Sequence, residues 1–265
     1  MNGYDEYETI AFERSGHILK ITINRPDVLN AVNARMHGEL SRIFYDVAAD
    51  DEADIITLTG AGRAFCAGGD LDWLQAAADD PALFARIALE AKQIVFGMLD
   101  CEKPIICRLN GDAIGLGATI ALFCDVIIAA ETARIGDLHV NVGLVAGDGG
   151  AIIWPQLIGY PRAKEFLMTG KIIDGKQAAE LGLVNYAVAA EALDERTDEM
   201  ARRLEAGPTM AVRLTKAAVN VGLKQLAHGM MDASIAYESL TNSMPDHQEG
   251  LAAFRERRKP KFSDR

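Results

Sequence analysis

Two glycine-rich loops and a few titratable side chains are the parts of this 265-residue sequence able to do chemistry. The first loop, residues 62–71, reads Gly-Arg-Ala-Phe-Cys-Ala-Gly-Gly-Asp-Leu, and the second, residues 110–119, reads Asn-Gly-Asp-Ala-Ile-Gly-Leu-Gly-Ala-Thr. Each lies where a strand-like run gives way to a helix-like one. Backbone N–H groups at such a junction have no acceptor within the helix, so they can face an anion or an oxygen that gains negative charge during a reaction. Two tight turns give the same pattern, since glycine pairs are common punctuation. Nucleotide binding is disfavoured, because GxxxxGK[ST] is absent and Gly115-x-Gly117 lacks the third glycine of GxGxxG.

Proton exchange near neutral pH needs an imidazole or a carboxylate of shifted pKa. His139 lies in Ile135-Gly-Asp-Leu-His-Val-Asn-Val-Gly143, as an acid/base group or as a pocket-lining histidine with satisfied nitrogens. Asp148, in Gly147-Asp-Gly-Gly150, precedes an apolar run over 151–158. An aspartate there suits a helix N-cap, where the dipole favours its charge, and it also suits acid/base work. The Thr119 hydroxyl can hydrogen-bond a water but is no general acid or base near neutral pH. Asp70 is expected to cap the helix after the first loop. Cys66, between Phe65 and Ala67 with no charged neighbour in sequence, is expected to be a small core residue. His17, His37, His228 and His247 fit solvated or turn settings.

The elements that must position these groups alternate. Residues 17–24 place Leu19, Ile21 and Ile23 on one face of a strand, and Arg25-Pro26 ends it. Met36, Leu40, Ile43, Phe44 and Val47 recur at helical spacing behind Asn33, a suitable N-cap. A strand over 54–59 runs into the first loop, and Asp80-Pro81 opens a further helix. Strands at 104–109 and 126–129 flank the apolar segment 113–123, which implies a repeating β/α core. After Gly207-Pro208 only helical patterns follow, at 210–219, 230–240 and 248–257, so a boundary is placed between residues 1–206 and 207–265.

With 49% hydrophobic residues the chain can bury a full core. A net charge of -11 argues against nucleic acid and anionic membrane as partners. Cys66, Cys101, Cys107 and Cys124 form no CxxC pair, so neither a zinc site nor a redox cofactor is implied and a reducing, cytoplasmic location fits. No signal peptide or bilayer span is legible, the acidic start and the interruptions at Gly115, Gly117 and Asp125 arguing against both.

Several of these runs together resemble the crotonase (enoyl-CoA hydratase/isomerase) superfamily. They are Arg63-Ala-Phe-Cys-Ala-Gly-Gly-Asp-Leu71, Lys103-Pro-Ile-Ile-Cys-Arg-Leu-Asn-Gly111, Gly115-Leu-Gly117 and Cys124-Asp125, with Asn24-Arg-Pro26 and Asn30-Ala31 before them. After them come the runs 130–136 and 178–184 and the basic tail 254–262, so nearly the whole chain is covered. The resemblance implies an α/β fold, a ββα superhelical core with a C-terminal helical trimerisation region, and a homo-oligomer, trimer or hexamer. It implies an acyl-CoA thioester as substrate, with no cofactor beyond that coenzyme A, and an oxyanion hole made by the N–H groups of Gly69 and Leu116. The coenzyme A portion falls to Arg25, Ala64, Ala67, Gly69, Asp70, Leu71 and Lys259, with Ala64 by the adenine and Arg25 and Lys259 as phosphate candidates. The two glutamates that hydratases of this family use fall at Thr119 and His139, and loops near Asp148 supply acidic catalysts in some members. A two-carboxylate hydration cannot run on Thr119 and His139, which leaves isomerisation, thioester hydrolysis, a C–C bond reaction, or acyl-CoA binding without turnover.

Overall fold

The computed structural model describes residues 3–263. The chain opens with an antiparallel pair, β1 (Ile10–Ser15) and β2 (Ile18–Ile23), in which Leu19, Ile21 and Ile23 face the core at alternate positions. Helix α1 (Ala34–Ala48) follows, its first turn held by the Asn33 side chain accepting from the Met36 N–H, and it buries the apolar stripe from Met36 to Val47.

A three-part unit then recurs. Strand β3 (Ile55–Gly60) lies in the main sheet, β4 (Ala64–Cys66) in a second, smaller sheet, and α2 (Leu71–Asp79) with α3 (Pro81–Asp100) brings the chain back. Strands β5 (Ile105–Leu109) and β6 (Asp112–Ile114) with α4 (Leu116–Leu122) repeat it. Strands β7 (Val126–Ala130) and β8 (Arg134–Gly136) do so again, followed by the 3-10 turn His139–Val142, α5 (Gly150–Ile158) and α6 (Tyr160–Thr169). The core closes with β9 (Ile173–Asp174), α7 (Gly175–Leu181), β10 (Tyr186–Val188) and α8 (Leu193–Glu205). From there the chain is helical only, in α9 (Thr209–Asn242) and α10 (Pro245–Arg255).

The main sheet runs β1-β2-β3-β5-β7-β10, parallel from β2 onward, and the second runs β4-β6-β8-β9 with only its last pair antiparallel. Every residue of β3 is buried, including Thr57 and Thr59, whose alternation with Ile56 and Leu58 therefore marks no solvent face. The strands of the second sheet, two or three residues each, are too short to show a period, and they were not anticipated. The helical runs at 210–219 and 230–240 are one 34-residue helix, continuous through Gly222 and Gly229.

Successive units stack closely enough to press the two glycine loops together. A Cβ at Gly117 would sit 2.3 Å from the Cys66 carbonyl oxygen, and one at Gly111 would sit 2.1 Å from that of Arg63. Two side-chain amides fix the same junction: Asn30 Nδ2 and Asn110 Nδ2 both donate to the Ala64 carbonyl, at 2.9 and 3.2 Å. Among the described residues no helix is long and apolar enough to cross a membrane.

Candidate active site

The stacked loops open into a cavity of about 160 Å³ between α2, α3, the start of α4, the His139–Val142 turn and the two C-terminal helices. Ala67, Gly69, Leu71, Leu116, His139 and Asp148 line it, so six of the residues expected at the site share one cavity. The rest of the lining is largely apolar.

The backbone leaves Gly69 and Leu116 with N–H groups to spare. Val32 N donates to Gly68 O and Asp70 N donates to Val32 O, both at 2.8 Å, so the polar groups of Gly69 face the other side of that bridge. Leu116 is the first residue of α4, where an N–H has no acceptor one turn back. Gly115 before it has φ 55 and ψ -123, a conformation that only glycine adopts without strain. The His139 ring packs over this glycine, with Cε1 3.5 Å from where a Cβ would lie.

His139 is the centre of a charged cluster. Its Nδ1 lies 2.7 Å from Asp137 Oδ1, and its Nε2 lies 3.6 Å from Asp148 Oδ2. The Asp148 Oδ1 accepts from the Thr119 hydroxyl at 3.2 Å. Asp148 Oδ2 is buried and has no hydrogen-bond partner among the described residues. Glu238, from α9, also lines the cavity and stands over Gly147, where a Cβ would sit 2.7 Å from its Oε2.

Burial disfavours charge on the imidazole, but the carboxylates of Asp137 and Asp148 outweigh it and hold the His139 pKa well above its ordinary 6.5. Burial raises the Asp148 carboxyl, and the nearby His139 opposes that rise. Burial likewise pushes Glu238 up to about 8, with Asp148 and Asp137 adding to it and His139 resisting. The cluster thus favours the charged form of His139 and the protonated form of Glu238. Donor atoms of Asp137, His139 and Asp148 lie within 4.8 Å of one another, close enough to enclose a cation. With Nδ1 hydrogen-bonded to Asp137, however, the arrangement is that of a charged imidazole held by carboxylates, whereas a ligating histidine must be neutral.

Several expectations change on this geometry. Asp148 is not the cap of α5: that helix starts one residue later than an Asp148 cap requires, with Gly149 at φ 124 as N-cap, and Asp148 makes a long 3.4 Å contact with Gly150 N while turning toward His139. His37 and His247 are buried rather than solvated, with Nδ1 of each held at 2.6 Å by Glu90 Oε2 and at 2.7 Å by Val142 O. Asp70 caps α2 as expected, accepting from Asp72 N at 3.1 Å. Its other oxygen lies 3.7 Å from Arg25 Nη2, and Arg25 also donates to the Ala31 carbonyl, so that guanidinium ties down the first loop. Ala64 is buried in β4 and Lys259 is exposed beyond α10; neither lines the cavity. Cys66 is fully buried and its thiol is pushed up to about 12, consistent with a core residue.

Asp137 and Glu238 were missed. Asp137 stands two residues before His139, and an Asp-x-His spacing was the available signal. Glu238 is brought in from a distant helix, where an isolated glutamate reads as a solvated face.

A match to the model of the enoyl-CoA hydratase/isomerase family spans residues 13–265. The chain belongs to that family. It is 34% identical over 248 residues to 1,2-epoxyphenylacetyl-CoA isomerase of Escherichia coli, covering 93% of this chain and 95% of the relative. Among solved structures, an enoyl-CoA hydratase/isomerase from Mycobacterium paratuberculosis matches with a TM-score of 0.90 at 35% identity, over 94% of this chain and 99% of that one. A β-diketone hydrolase from the cyanobacterium Anabaena, bound to (S)-3-oxocyclohexyl acetic acid, matches with a TM-score of 0.85 at 30% identity, over 92% and 97%. The fold is thus the crotonase fold, and the protein is an acyl-CoA enzyme of the enoyl-CoA hydratase/isomerase family.

Proposed function

We propose that this enzyme binds an acyl-CoA thioester and moves a proton at the carbon next to the thioester carbonyl, with double-bond isomerisation as the outcome. The N–H groups of Gly69 and Leu116 receive the thioester oxygen. As the α-proton leaves, negative charge builds on that oxygen, and donors already aimed at it lower the barrier; loss of one such donor in other enzymes costs about 2.7–4 kcal/mol. Asp148 is the base. The observation that carries this is its Oδ2, buried on the cavity wall without a hydrogen bond, 3.6 Å from the His139 ring. The imidazolium opposes the rise that burial imposes on that carboxylate, Thr119 holds its other oxygen, and Asp148 returns the proton at a second carbon.

Hydration is the less favoured outcome, because it needs a second acid/base group across the substrate and a threonine hydroxyl at Thr119 cannot serve as one. A second reading, hydrolytic cleavage of a β-dicarbonyl acyl group, is favoured by the likeness to the β-diketone hydrolase, with Asp148 as the base toward water. In the first reading coenzyme A runs outward past Ala67 and Leu71, and the C-terminal helices pair between copies of the chain as a trimer or hexamer.

Incubation with a panel of enoyl-, acyl- and β-ketoacyl-CoA esters, followed by mass spectrometry and chromatography, tests the assignment. Isomeric product of unchanged mass supports it. A gain of one water with loss of an acid fragment moves the assignment to C–C cleavage, a simple gain of water to hydration, and tight binding without any change removes catalysis altogether.

A further inference from the structure

The lining of the cavity carries a second polar feature that the proton-transfer chemistry does not use. Trp73, on α2, lines the cavity, and its indole Nε1 is buried with no hydrogen-bond partner among the described residues. His37, on α1, lies beside it with ring centroids 5.0 Å apart, and Glu90 on α3 holds the His37 Nδ1 at 2.6 Å. With Nδ1 committed to Glu90, the other ring nitrogen is what His37 has left for a ligand. Three helices thus place an unpaired N–H donor and an imidazole together in an otherwise apolar lining that includes Leu74, Phe84 and Ile87. Buried indole N–H groups ordinarily find an acceptor, and here the protein supplies none.

Volume narrows the ligand. A cavity of about 160 Å³ is close to the roughly 150 Å³ that an apolar protein cavity needs to take up one benzene ring. We infer that the acyl group is a ring-sized carbocycle bearing a ketone or hydroxyl oxygen on its far side, that oxygen accepting from the Trp73 Nε1–H beside His37. The inference rests on the thioester being held at the Gly69 and Leu116 N–H groups, and it adds the class of acyl group.

Affinities of cyclohexylacetyl-CoA, 4-oxocyclohexylacetyl-CoA and hexanoyl-CoA, measured by calorimetry on the intact protein and on Trp73→Phe, provide the test. Phenylalanine keeps most of the ring and removes the N–H alone. The native protein is expected to prefer the oxo ring over the plain ring by at least about tenfold, with hexanoyl-CoA weaker than both. Trp73→Phe is expected to bind the plain ring as the native protein does and to lose the preference. An equal affinity for the two rings in the native protein, or a preference that survives in Trp73→Phe, overturns the inference. Should no thioester bind at all, the reading of the site as an acyl-CoA site fails. In that event 4-methylcyclohexanone and methylcyclohexane, compared on the same two proteins, still decide whether Trp73 selects an oxygenated ring.

Discussion

His139 takes its protonation state from its neighbours. Burial alone would leave the ring neutral, but Asp137 at 2.7 Å and Asp148 at 3.6 Å make the cation the favoured form. The same interaction acts on Asp148, whose pKa burial raises and the cation lowers. A base must be ionised to accept a proton, so activity falls as pH drops through the Asp148 value. In His139→Gln the opposing cation is gone and burial acts unchecked, so the acid limb of the kcat/KM profile is expected to move to higher pH by about one unit or more, with turnover down about 100-fold and acyl-CoA affinity retained. A pH–rate profile with an unmoved acid limb sinks the proposed coupling. Thr119 and His139 stand where the resemblance puts the family's two glutamates, Gly69 and Leu116 where it puts the oxyanion donors, and the loops by themselves read equally well as tight turns. What was not legible is who pairs with whom. An Asp148 cap and an Asp148 base share one sequence context, and the choice turns on α5 starting at Gly150 rather than at Gly149.

At the scale of elements, the strands and helices expected from hydrophobic period up to residue 130 lie within a residue or two of those found, because a buried face imposes its period on five or more residues, whereas two runs expected after residue 207 merge into one helix. The second sheet escaped notice, since three residues such as those of β4 hold no period, yet that sheet carries the chain from one unit to the next and brings the two loops together. Helix α9 presents a further consequence. Its 34 residues pack against α3 and α5 on one side and expose Met210, Leu214, Val219, Tyr237 and Leu240 on the other. Phe254 on α10 is 59% exposed although it lines the cavity. Apolar surface on this scale is ordinarily covered. Light scattering on the purified protein is expected to give the mass of three or six chains, and a monomer at all concentrations removes the self-association from the account.

At the scale of the whole molecule, the fold brings Gly69, Leu116, His139 and Asp148, far apart in sequence, to the lining of one small cavity. The net charge of -11 does not describe this site, where carboxylates surround a single buried cation. Charge of that kind favours moving protons within the pocket over binding large anionic partners, and coenzyme A must find its cations locally. The family match fixed the class of substrate and the fold; the reaction depends on which carbon Asp148 reaches. The most direct measurement is exchange of α-protons of a bound acyl-CoA for deuterium in heavy water, followed by mass spectrometry for the native enzyme and for Asp148→Asn. The expected result is exchange by the native enzyme and a loss of about 100-fold or more in Asp148→Asn with binding intact. An Asp148→Asn protein that exchanges at the native rate, or a native protein that binds acyl-CoA esters and exchanges none of their α-protons, contradicts the assignment of Asp148 as the base.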